Sequence, residues 1–226
     1  MQALSLPKAL ILDLDGTLLD TEGLALDAWT AAAETLALPL REEFLISIIG
    51  LGSDDIKNRL LEELSDEGVV SRLRTESWTA YEDLLRGGIQ VKKGAFELLQ
   101  DAQRLQIPCA VATSSSSQSA HQKLTATNLV DFFQVLSTRD KASKGKPHPE
   151  IFLRAAEQLS VPPRECWAAE DSLVGVESAS SAEMTTWMVV DMVQPTEKAR
   201  SLAWKVVDSL LHVRDGVREL LERGAS

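Results

Sequence analysis

The sequence predicts an α/β protein, a doubly wound parallel sheet with a small all-helical subdomain inserted after its first strand. Three observations carry this. Short apolar runs, each closed by polar residues, recur along the chain, as buried parallel strands do. Helical periodicity fills the gaps between them, which is the alternation of βαβ units. One long stretch, from about Asp20 to Arg86, breaks the alternation and holds helical pattern with no strand.

The first strand is Ala9–Leu12, which ends abruptly at Asp13. The inserted stretch follows. Ala25, Trp29, Ala32 and Leu36 form one apolar stripe, and Ile56, Leu60, Leu61 and Leu64 a second. Val70, Leu73, Tyr81, Leu84 and Leu85 mark a third, longer helix. Pro39 and the Gly50–Gly52 pair punctuate these elements, and Gly87-Gly88 marks the return. The predicted division is therefore 1–19 with 88–226 as the sheet domain, and 20–87 as the helical insertion.

Beyond it, Phe96, Leu99, Ala102 and Leu105 set a helix at spacing three. Strands are then predicted at Pro108–Thr113, Phe132–Leu136, Cys166–Ala169, Thr185–Val190 and Lys205–Val207. Between them, Phe152, Ala155, Ala156 and Leu159 define another helix. A last helix, about Ser209 to Arg223, completes the packing. Crossovers should be right-handed, with helices on both faces.

Composition narrows the function. The 226 residues include 23 Lys+Arg and 34 Asp+Glu, a net charge of −11. A nucleic-acid binder needs a basic stripe, and no dense Lys/Arg cluster is present. The same surplus of acid disfavours an anionic membrane surface. Met1 to Lys8 carries no long apolar segment, and the run at Ala9 is too short for a signal or a span. A soluble, cytoplasmic protein is expected, a monomer by default. Cys109 and Cys166 each sit in an apolar run and read as buried, reduced thiols.

In an open α/β sheet, ligands bind outside the carboxyl ends of the strands. The polar residues that close the runs should therefore meet there. They are Asp13 and Asp15, Thr113 and Ser114, a lysine from the 141–146 loop, and Glu170 with Asp171. Carboxylates, hydroxyls and one cation suit a hard, oxygen-liganded cation such as Mg²⁺ together with a phosphate. Each piece has a plainer reading: a hairpin at Asp15-Gly16, helix caps at Ser114–Ser117 and Asp171-Ser172, a solvated basic loop at 141–146. A calcium loop fails on register, because it needs Gly at position 6 and Glu at 12. Gly16 stands at position 4 and Leu24 at 12.

Asp13-Leu-Asp-Gly-Thr17 resembles the DxDGT signature of the haloacid dehalogenase superfamily. Thr113-Ser114, Gly145-Lys-Pro-His-Pro-Glu150, and Glu170-Asp-Ser172 with Gly175 resemble the later motifs of that family, in order. The similarity runs from Ala9 to about Val190 and looks closest to the β-phosphoglucomutase-like group of sugar-phosphate phosphatases and mutases. The helical insertion resembles the family's cap.

The resemblance implies a Mg²⁺-dependent phosphatase for a small phosphorylated metabolite, a sugar or polyol phosphate. Asp13 would be nucleophile, Asp15 general acid and base, and Lys146 the cation between Asp13 and the phosphate. Asp13, the Asp15 carbonyl and Asp171 would hold the metal, with Glu170 as ligand or outer partner. Thr113 and Ser114 would hold the phosphate. Glu22 and the Gly50–Ser53 loop would contact the leaving group. His148 reads as a surface imidazole, since Asp15 fills the acid–base role. Mutases of this group carry basic residues in the cap loop; Ile49–Asp55 has none, so hydrolysis is favoured over a β-phosphoglucomutase-type isomerisation. The second aspartate and Glu170-Asp171 argue against dehalogenation, which needs no Mg²⁺.

Overall fold

The computed structural model describes residues 4–224; the first residues of the Met1–Lys8 segment lie outside the described part. Among the described residues, six strands form one sheet: β1 (Ala9–Leu12), β2 (Cys109–Thr113), β3 (Val135–Thr138), β4 (Cys166–Glu170), β5 (Thr185–Val189) and β6 (Lys205–Val207). Their order is β3-β2-β1-β4-β5-β6, and every pairing is parallel. The fold is the doubly wound α/β sheet the sequence predicts. The strand order reverses direction at β1, so a crevice opens at the carboxyl ends of β1, β2 and β4. The apolar runs of β1, β2 and β4 are buried along their whole length because helices cover both faces.

Helices α1 (Glu22–Thr35), α2 (Glu42–Ile48), α3 (Ser53–Leu64) and α4 (Glu67–Arg86) follow β1. Helices α5 (Ala95–Arg104), α6 (Ser117–Ala126), α7 (Glu150–Leu159), α8 (Leu173–Ser181), α9 (Glu197–Leu202) and α10 (Leu210–Gly224) alternate with the later strands. Contacts divide the chain into two compact units. One runs to Leu19 and resumes at Val91; the other is Asp20–Gln90. The Asp20 N–H donates to the Gln90 carbonyl at 2.9 Å and ties the two ends of the helical unit. That unit has its own core of Ala32, Ala33, Leu45, Ile48, Leu60, Val70 and Leu73.

The sheet unit packs α7 on one face. Phe152, Ala155 and Ala156 lie on Ala9, Ile11, Ala110, Ala112 and Ala168, small strand residues that let the helix approach. On the other side of the fold the Trp167 and Trp187 rings meet at 5.3 Å. α10 crosses beside them at Gly216, where a Cβ would stand 3.0 Å from the Trp187 ring.

Three expectations are corrected. The third strand begins at Val135, not Phe132, and runs through Ser137 and Thr138. Phe132 closes a 3₁₀ turn and packs edge-on against Phe96. The polar strand residues are tolerated because the Ser137 hydroxyl donates to the Ile151 carbonyl at 2.7 Å. The buried stripe of α5 is Ala95, Leu98, Leu99 and Ala102; Phe96 and Leu105 face outward, since a strict spacing of three drifts round a 3.6-residue helix. The helical unit also holds a fourth helix, α2, whose seven residues are too few to show periodicity beside Pro39. Among the described residues no helix is long and apolar enough to cross a membrane.

Asp101 of α5 anchors α10 through Arg218, whose Nε donates to Oδ2 at 2.6 Å. That bond, with the Arg218 and Arg104 charges, holds the Asp101 carboxyl below the usual range. A depressed carboxyl stabilises the fold above its unfolded pKa and loses that contribution as pH falls through the folded one. Arg218→Ala should therefore lower the melting temperature at neutral pH. Melts of variant and wild type should converge in acid, below the depressed pKa; a gap independent of pH would contradict this.

Candidate active site

Asp13 stands one residue past β1, where its N–H donates to the Ala169 carbonyl of β4 at 3.0 Å. The chain then turns sharply. The Gly16 N–H donates to the Leu19 carbonyl at 2.8 Å, and Gly16 has φ +87°. A side chain there would also overlap the Asp171 carboxylate, so the glycine clears the space that carboxylate occupies. Thr17 turns its hydroxyl back onto Asp171 Oδ1 at 2.7 Å.

Lys146 reaches this point from the loop before α7. Its Nζ lies 2.5 Å from Asp13 Oδ1 and 2.5 Å from Glu170 Oε1, with the side chain only 3% exposed. The ammonium also sits over the Phe152 ring. Glu150 shapes the loop by accepting from the Ser143 N–H and hydroxyl and from the Lys144 N–H. Lys141 and Lys144 face solvent, so of the three loop lysines only Lys146 reaches the strand ends. His148 is exposed, and its Nδ1 accepts from the Glu150 N–H at 3.3 Å.

Burial raises the Asp13 carboxyl well above the usual range. Lys146 opposes the rise; the charges of Glu170, Asp171 and Asp15 add to it. For Lys146, burial works against the ammonium, but Asp13 and Glu170 outweigh it and hold the group above its ordinary value. Glu170 is engaged at both oxygens. Oε1 meets Lys146, and Oε2 accepts from the Ser172 N–H at 2.8 Å and hydroxyl at 2.9 Å. Ser172 caps α8 by accepting from the Gly175 N–H at 3.0 Å. Any side chain on Gly175 would overlap the Glu170 carboxylate.

Thr113 ends β2 buried, and its hydroxyl oxygen accepts from the Ser115 N–H at 2.9 Å. Ser114 is exposed beside it, and Ser116 caps α6. The Ser115 hydroxyl donates to Asp15 Oδ2 at 2.7 Å, and Lys123 of α6 donates to Asp15 Oδ1 at 2.6 Å. Sequence reasoning missed Ser115 and Lys123. The available signal was a lysine on the same face as Ala120 and Leu124, where an apolar residue is the norm.

In the helical unit, Glu22 is the first residue of α1 and Gly50, with φ +76°, lies in the α2–α3 link. This unit contains a cavity of about 1040 Å³, lined by Trp29, Ser53, Ile56, Arg74, Trp78 and Tyr81 among others. Arg74 projects from α4 and donates to the Ser53 hydroxyl at 2.7 Å. The Ile49–Asp55 loop has no basic residue of its own, yet a guanidinium meets it from another helix.

The model of the haloacid dehalogenase-like hydrolases matches residues 10–189, the span that holds every one of these motifs. The chain belongs to that family. A phosphorylated carbohydrates phosphatase of Thermotoga maritima is 34% identical over 179 residues, 77% of this chain and 81% of that protein. A β-phosphoglucomutase of Bacillus subtilis is 33% identical over 191 residues, 78% and 80% of the two chains. The crystal structure of a β-phosphoglucomutase from Clostridium difficile superposes with a TM-score of 0.76 at 26% identity, covering 96% of this chain and all of that one. This haloacid dehalogenase-like hydrolase is an enzyme of the phosphatase kind.

The donors of the hydrolase fit a hard divalent cation. Burial first, and the charges of Glu170, Asp171 and Asp15 after it, disfavour the charged form of Asp13. Lys146 offsets only part of that charge. Oxygen donors alone, with excess negative charge, suit Mg²⁺ better than a soft metal. Cys109 and Cys166 stand apart as buried free thiols; burial pushes Cys109 up to about 12, which leaves it inert.

Proposed function

We propose that this protein is a Mg²⁺-dependent phosphomonoester hydrolase for a small sugar or polyol phosphate, acting through an aspartyl-phosphate on Asp13. The observation that carries it is Lys146 Nζ, buried and bonded to both Asp13 and Glu170. A carboxylate attacks an anionic phosphate only where cations offset their repulsion.

An Asp13 oxygen attacks phosphorus, the bond to the leaving oxygen breaks, and Asp15 gives that oxygen its proton. Asp15, now a carboxylate, takes a proton from water; the hydroxide oxygen bonds to phosphorus and the Asp13–phosphorus bond breaks. Such acid–base help is typically worth about 10²–10⁴-fold. Lys146 holds Asp13 in place and attracts the phosphate oxygens. The Thr113 hydroxyl and the Ser114 N–H bind those oxygens, next to the amino end of α6. Asp13, the Asp15 carbonyl and Asp171 would hold Mg²⁺, which supplies charge neutralisation when bound. Glu170, engaged by Lys146 and Ser172, suits the outer role of fixing the lysine. The family resemblance makes Glu22 and the Gly50–Ser53 loop the candidates for contact with the leaving group.

Arg74 at Ser53 supports a second reading, isomerisation of a phosphosugar, because it supplies a cation for a second phosphate. One panel separates the two. With Mg²⁺, sugar and polyol monophosphates should release inorganic phosphate, and EDTA should stop it. Conversion of β-glucose 1-phosphate to glucose 6-phosphate without net release would establish the isomerase. Release that persists in EDTA would overturn the metal dependence.

A further inference from the structure

We infer that Lys123, with Ser115, is a positioning residue for Asp15; this rests on the acid–base role proposed above. Lys123 lies on the buried face of α6 with Ala120 and Leu124, and its side chain is 5% exposed. Burying an ammonium is costly unless it is paired and hydrogen-bonded, and an alkyl side chain would fill the same face without that cost. The charge is placed where it meets Asp15. Nζ lies 2.6 Å from Asp15 Oδ1 and 3.4 Å from the Ser115 hydroxyl oxygen. That hydroxyl donates to Asp15 Oδ2 at 2.7 Å, and the Ser115 N–H donates to the Thr113 hydroxyl oxygen at 2.9 Å.

One donor on a carboxylate leaves the group free to rotate about its Cβ–Cγ bond. Two donors, one per oxygen and from separate elements, fix its plane. The second donor is itself pinned to Thr113 at the end of β2. The result is a chain from Lys123 through Asp15 and Ser115 to Thr113. It sets the distance between the proton-transferring carboxyl and the hydroxyl proposed to bind phosphate. A misplacement of about 1 Å in such a group can cost about 10²-fold. These donors set the aim of the Asp15 carboxyl and make or break no bond in the reaction.

The test is a double-mutant cycle read as kcat/KM with Mg²⁺. An alkyl phosphate needs its leaving oxygen protonated; p-nitrophenyl phosphate needs this far less. Lys123→Met should lower kcat/KM for the alkyl ester about 10–100-fold and for the p-nitrophenyl ester several-fold less. Lys123→Arg should recover part of the loss. In the Asp15→Asn background, Lys123→Met should add nothing. Ser115→Ala should follow the same pattern more weakly, and it serves alone if Lys123→Met does not fold. Equal losses on both esters, or a full further loss in the Asp15→Asn background, would overturn the inference. If Asp15→Asn itself left the alkyl ester reaction intact, the acid–base reading of Asp15 would fall instead.

Discussion

Asp13→Asn should cut phosphate release by at least about 10⁴-fold and leave the fold intact. The amide removes the attacking oxygen's charge but keeps a carbonyl that can accept from Lys146. It also removes a charge that burial, and after it the neighbouring carboxylates, disfavour. The melting temperature of the metal-free variant should therefore equal or exceed that of the wild type. Mg²⁺ reverses the comparison. A ligand at a hundred times its Kd stabilises a fold by about 2.7 kcal/mol, and the variant, short of one anionic donor, should gain less. Thermal melts with and without Mg²⁺, beside a phosphate-release assay, read all three outcomes. Activity within about tenfold of the wild type would exclude Asp13 as nucleophile.

Lys146→Met has the second large effect, and it separates stability from catalysis. The ammonium is bonded to two buried carboxylates. Removing one partner of a buried ion pair typically costs about 3–5 kcal/mol, because the remaining charge is left uncompensated. For a chain of this size the melting temperature should fall on the order of 10 °C without metal. Mg²⁺ should recover part of the stability by offsetting the Asp13 charge, but little of the turnover. The phosphate would still lack the cation that holds Asp13 in place. An unchanged melting temperature would contradict the buried bridge. Unchanged turnover would contradict its role in the reaction.

The motif residues were legible because the fold concentrates them. A strand buried on both faces must be apolar, so the first polar residue after it marks the strand end. Asp13, Thr113 and Glu170 are such residues, and the strand order brings β1, β2 and β4 side by side. The Gly145-Lys-Pro147 resemblance points to Lys146, and the geometry turns Lys144 outward. What the pattern could not show is pairing across the sheet. Lys123 and Ser115 reach Asp15 from a hundred or more residues away in the chain. Arg74 meets Ser53 because α3 and α4 pack together, and neither spacing nor charge count records that. The third strand was misplaced for a related reason. Its polar end is stabilised by the hydrogen bond that Ser137 donates to the Ile151 carbonyl of α7, a tertiary contact that outweighs local apolar preference.

The central claim is a covalent bond between Asp13 and phosphorus, and trapping it is the most direct measurement. The enzyme, mixed with Mg²⁺ and a phosphomonoester that it turns over, would be quenched in acid within one turnover. Its peptides would then be mapped by mass spectrometry. The mechanism predicts a hydroxylamine-labile phosphate on the peptide containing Asp13, absent from Asp13→Asn. A phosphate mapped to any other residue, or full turnover with no covalent species at any quench time, would contradict it.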